Sequence, residues 1–134
     1  MKTISELAYE AIIESELFPE ENVAINNVIH SDWNGSLRVL ISEGDGDVDT
    51  ETQFGAIAQT TVLTIAVLSN SREEAVMAGK QVSEIAFQHI EKLERKQGYG
   101  ILAITKFQNG IKNVTDRDEF EAYRSFNVLN SINL

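Results

Sequence analysis

Five carboxylates fall at every second position of one short stretch: Glu43, Asp45, Asp47, Asp49 and Glu51. Clustered carboxylates are the usual ligands of hard cations. Asp45-x-Asp47-x-Asp49 looks like the opening of a calcium-binding EF-hand loop. The pattern then breaks, with Thr50 where the turn needs glycine and Ala56 where a bidentate glutamate should close the site. A dedicated metal site is therefore not expected, and loose millimolar binding is the most such a cluster offers.

The rest of the catalytic inventory is thin. His30 and His89 are the two histidines, and there is no cysteine. His89 sits on an apolar helical stripe, where a hydrogen-bonded core histidine is the expected role. His30, Ser31 and Asp32 are adjacent, but a triad is assembled in space and not along the chain. Gly98-Tyr99-Gly100 lacks a glycine of the dinucleotide fingerprint and follows a helix where that motif follows a strand. The Asn113-Val114-Thr115 sequon carries no weight without a secretory signal. No catalytic residue, cofactor site or metal site is predicted, and the chain is not expected to be an enzyme.

Charge narrows the partners. Residues 1–51 hold 12 acids and two bases, and residues 52–134 hold nine of each, so the net −10 lies wholly in the first part. Nucleic acid and anionic membrane both require surplus Lys and Arg; neither is an expected partner. No apolar run approaches the roughly 20 residues of a membrane span. The opening MKTISELAYEAIIESELF is too rich in glutamate for a signal peptide. Hydrophobic residues make up 43% of the 134-residue chain, enough for a packed core, which must hold without disulfides.

The elements that would position these residues can be read from periodicity. Thr3 and Glu6 fit a capping box before Ile4, Leu7, Ala8, Ala11 and Ile12, with Leu17 as a further member and Pro19 as the stop. Val23–Ile29 and Leu37–Ile41 predict two strands joined at Asn34-Gly35, a type I′ hairpin dipeptide. Residues 42–53 (SEGDGDVDTETQ) are predicted to form a flexible acidic loop. QTTVLTIAVLS predicts a strand buried on much of both faces. Ser71 and Glu74 open a long helix to about Lys96, with Ala75, Ala78, Val82, Ile85, Ala86, His89, Ile90 and Leu93 on one stripe and Gly98 as its C′ residue. Ile101 to Phe107 alternate up to a second hairpin signal, Asn109-Gly110, after which Ile111 to Thr115 return. A last strand places Phe120, Ala122, Phe126, Val128, Ile132 and Leu134 on one face, interrupted by Arg124 and Asn130. The predicted order is α-β-β-β-α-β-β-β. With no linker or repeat, residues 1–134 are read as one α+β domain: a mostly antiparallel sheet, one long helix packed on it and a shorter N-terminal helix.

That order, with Thr60–Val67 running directly into Ser71-Arg72-Glu73-Glu74-Ala75 and with the closing Asp116-Arg117-Asp118 and Tyr123–Val128, resembles the tail-terminator (tail-completion, or tail-to-head joining) proteins of long-tailed bacteriophages with non-contractile tails. The likeness covers nearly the whole chain and consists of hydrophobic pattern and order. It implies a structural virion protein without cofactors that forms a ring, usually hexameric. Such a ring caps the tail tube and docks on the head connector, a job that needs a monomer stable before assembly. It implies assembly in the host cytoplasm and residence at the head–tail junction. The acidic segment departs from the family, so its role is read from charge alone: it faces the DNA channel or a basic docking partner.

Ring closure joins two different faces. The acidic first part and the bases of the remainder, including Lys92, Arg95, Lys96, Lys106, Lys112 and Arg117, are candidates for them. Trp33 at the first predicted turn and Phe54 beyond the acidic segment are candidate aromatic anchors. Two other functions fit the same sequence: a small cytosolic α+β module binding a ligand or peptide between long helix and sheet, and a phage head-completion protein.

Overall fold

The computed structural model describes residues 2–25, 37–51, 57–114 and 118–132, with the backbone alone at 45–51, 57 and 132. Two helices, α1 (Ile4–Glu14) and α2 (Arg72–Lys92), pack on a five-stranded sheet. Its strands are β1 (Val23–Ile25), β2 (Arg38–Glu51), β3 (Ile57–Ser69), β4 (Ile101–Val114) and β5 (Glu119–Ile132), in the order β1-β2-β3-β5-β4. The β1–β2 pair is parallel and the rest are antiparallel. This is the predicted class: α+β, mostly antiparallel, a long helix and a shorter N-terminal one on the sheet.

Both helices start where the capping boxes place them. The Thr3 hydroxyl accepts from the Glu6 amide at 3.1 Å, and the Ser71 hydroxyl accepts from the Glu74 amide at 3.3 Å. Their ends fall earlier than predicted. α1 stops at Glu14 because Glu16 turns left-handed (φ 58°). Pro19 then precedes a single 3₁₀ turn, Glu20–Asn22. Leu17 is consequently exposed, and Phe18 is buried instead. α2 stops at Lys92, about 31 Å from its start, and the first left-handed residue beyond it is Arg95 (φ 58°), with Gly98 (φ 93°) following later in the connection. The Arg95 amide donates to Ile101 O at 2.6 Å, and the Glu94 carboxylate accepts from the Ile104 amide at 2.9 Å, so the helix end is tied directly to β4.

Three strand predictions need correction. β1 and β2 do not form a hairpin: Val23 faces Val39 and Ile25 faces Ile41 in parallel register. A parallel pair needs a longer crossover than a two-residue turn; Asn34-Gly35 lies outside the described residues. Residues 42–51 are not a loop. β2 continues through them to Glu51, paired with β3 as far as Ile57, with register shifts between Asp45 and Val48 and between Val48 and Thr50. Polar and glycine-rich composition forecasts absence from a core. It does not prevent a backbone from pairing along a neighbour that already exists. Finally, Asn109-Gly110 is no turn: β4 crosses it, with Gly110 opposite Tyr123, so the predicted last three strands are two. A Cβ on Gly110 would stand 2.5 Å from the Tyr123 hydroxyl oxygen, so the glycine is there to let the tyrosine ring lie across the backbone.

The main core lies between the helices and one sheet face. Leu7 and Ile12 of α1, Val82 and Ile90 of α2, and Ile41, Leu63, Ile65, Val67, Phe126 and Val128 of the sheet are nearly or wholly buried there. At Gly79 the approach is closest, since a Cβ would lie 3.2 Å from Ala122 Cβ. The opposite face carries a smaller cluster of Leu40, Ala66 and Leu68, joined by half-buried Ala24 and Tyr123. Arg38, in register with Leu68, is buried and makes a salt bridge with buried Glu119 across 81 residues of sequence. β3 is thus covered on both faces over Ile65–Ser69, as its β-branched density predicts.

Candidate interaction surface

The acidic strand comes first. Glu43 is exposed, and its Oε2 accepts the Ser5 amide at 3.3 Å, placing a carboxylate near the positive end of α1. The backbones of Asp45, Asp47, Asp49 and Glu51 follow along the outer half of β2. Among the described residues no strand pairs with β2 beyond Ile41 on the side away from β3, so this half is a sheet edge.

Arg95 and Lys96 are exposed in the α2–β4 connection. Topology brings them to the same end of the sheet as the far end of β2: Thr50 pairs with Ala58, Ala58 with Ser131, and the Ser131 amide donates to Gly100 O at 2.8 Å. Three strand spacings, about 15 Å, separate the Thr50 backbone from Gly100 at the end of that connection. Trp33, Phe54, Arg117 and His30 lie outside the described residues. His89 is half-buried beside Lys2, Glu10 and Tyr99 in a hollow between α1 and the end of α2. Among the described residues, no three side chains of the ligand types converge as a metal site requires, and no helix is long and apolar enough to cross a membrane.

A second surface was not read from the sequence. α2 lies over β3 and β5, which leaves a hollow of about 230 Å³ between its β4 side and the sheet, adjoined at Asn109 and Arg124 by one of about 180 Å³ lined by β4 and β5. Arg72, Lys80 and Arg124 line the first, and Lys106, Phe107 and Arg124 line the second. Glu84 partners two of these bases, with its Oε1 at 3.0 Å from Lys106 Nζ and 3.9 Å from Arg124. Arg72 and Lys80 have no ion-pair partner among the described residues. Val76 and Phe107 are 41% and 55% exposed on the same surface. A positive, partly apolar patch thus stands on a molecule of net charge −10.

Two signals could have revealed it. Arg72, Val76 and Lys80 recur every fourth residue, which puts them on one side of a helix. Arg124 visibly breaks an apolar face. Phe107 was hidden because β4 bulges between Lys106 and Gln108, which ends the alternation that places it in a core.

No family model and no curated protein sequence matches this chain. Among solved structures, a chain described as "Virion of native gene transfer agent (GTA) particle" is similar over 98% of this chain and 100% of its own. The TM-score is 0.50 and 10% of residues are identical, so the likeness is one of fold.

Proposed function

We propose that this chain is a structural virion protein that closes the completed tail tube as a ring, usually of six copies, and joins the tail to the head connector. The observation that carries this reading is the end-to-end likeness in fold to a component of a phage-like virion particle.

Two features of the molecule support it. Along its buried side α2 packs on the sheet without a gap, with Ala75, Val82, Ala86 and Ile90 wholly buried, and the hollow it leaves lies outside that core, open at the β4 side. The sheet also offers two different edges, one acidic and one basic, as a closed ring of identical copies requires. The partners would be further copies of the chain, the tail tube protein and the head connector. No reaction is assigned to it.

Electron microscopy of particles made without the protein tests the proposal. Overlong tails that fail to join heads are expected. Virions of normal length and normal joining would overturn it.

A further inference from the structure

We infer that the basic hollows beside α2 and β4 receive the acidic outer half of β2 from a second copy of this chain. The inference rests on the ring assembly proposed above and names its contact. Four observations carry it. First, the charges are complementary and segregated by edge: β4 contains Lys106 and Lys112 and no acid, while residues 42–51 of β2 contain five acids and no base. Second, the two strands lie toward opposite sides of the sheet, and among the described residues each leaves backbone groups unpaired on its outer side. Such edges invite strand or loop partners unless they are blunted.

Third, the receiving surface pairs its charge with exposed Val76 and Phe107. Contact there would remove apolar area from water as well as pairing charges, and aromatic side chains often anchor interfaces. Fourth, Arg72 and Lys80 make no ion pair among the described residues, so a partner's carboxylates would meet charges not already paired. The contact is heterologous, because a copy using its β4 side toward one neighbour still presents β2 to the next. With the excess negative charge in residues 1–51, free copies repel one another at long range. Association then depends on this one attractive pairing and weakens with salt.

The test measures mass by sedimentation and light scattering over a concentration series, at low and high salt. Wild type should assemble, and added salt should disperse it. Lys80→Glu with Lys106→Glu should weaken assembly by about tenfold or more, and so should Asp45→Lys with Asp47→Lys. Combining all four substitutions should restore it. Phe107→Ser, which changes no charge, should weaken it too, and circular dichroism checks that each variant is folded. Variants that assemble like wild type, or a four-substitution variant that stays dispersed, would overturn the contact. If wild type builds rings and joins tails while the variants do so equally well, the contact is wrong and the ring stands. If wild type stays a single copy, both free and on isolated tail tubes, contact and ring fall together. Assembly onto an added acidic peptide or DNA in preference to self-association would also overturn it.

Discussion

Arg38→Met keeps a long side chain at the base of β2 and removes its charge. In the native fold the Arg38 and Glu119 side chains are 1% and 2% exposed. The substitution leaves the Glu119 carboxylate buried without its guanidinium. Removing one member of a buried pair costs about 3–5 kcal/mol, because the remaining charge is desolvated with nothing to offset it. For a chain of this size each kcal/mol lowers the melting temperature by about 3–4 °C, so a fall of roughly 9–20 °C is expected. Thermal and urea unfolding, followed by circular dichroism and checked for a single transition, provide the assay. Lys106→Met supplies the contrast. Its pair with Glu84 is solvent-exposed, with Lys106 at 59%, and should be worth about 1 kcal/mol or less. Adding Glu119→Leu to Arg38→Met should recover most of the loss, since an apolar pair of similar volume carries no stranded charge. A loss under about 1 kcal/mol for Arg38→Met alone would refute the claim that this pair is desolvated.

Ser71→Ala removes the N-cap of α2 and should cost about 1 kcal/mol, with Ser71→Asp restoring most of it, both read from urea midpoints. Tyr123→Ala uncovers Gly110 and takes the ring from beneath Lys112 Nζ, 5.1 Å from its centroid; a loss of about 3 kcal/mol is expected, together with faster amide exchange along β4. The Tyr9 hydroxyl is held above its ordinary value of 10.0 by burial first and then by the Glu20 carboxylate, to which it donates at 3.3 Å. A raised value means stability that is complete below pH 10.0 and is lost as pH rises through the folded-state value. Tyr9→Phe should abolish that alkaline loss, and unfolding measured from neutral pH to beyond 10.0 would show it.

Much of the fold was legible because its signals are local. Two capping boxes fixed two helix starts, and the spacing of Ala75, Ala78, Val82, Ala86 and Ile90 fixed the buried side of α2. What failed depended on pairing partners that a sequence does not display. Asn109-Gly110 carries the chemistry of a turn, but Tyr123, across the sheet, turns that glycine into a place for its ring. The acidic stretch looks like a loop in isolation and is a strand because β3 offers it a register. Helix ends shifted because Glu16 and Arg95 adopt left-handed backbone normally left to glycine. The acids of the proposed contact were visible in the sequence. The basic hollows were not, since Arg72, Lys80, Lys106 and Arg124 come from three elements that only the packing of α2 brings together.

The most direct measurement is a reconstruction, by electron cryomicroscopy, of the head–tail junction of virions that contain this protein. A closed ring is expected between tail tube and connector, its density fitting the five-stranded sheet and α2, with β2 of each copy against β4 of the next. A junction filled by other proteins, or this fold located elsewhere in the particle, would contradict it.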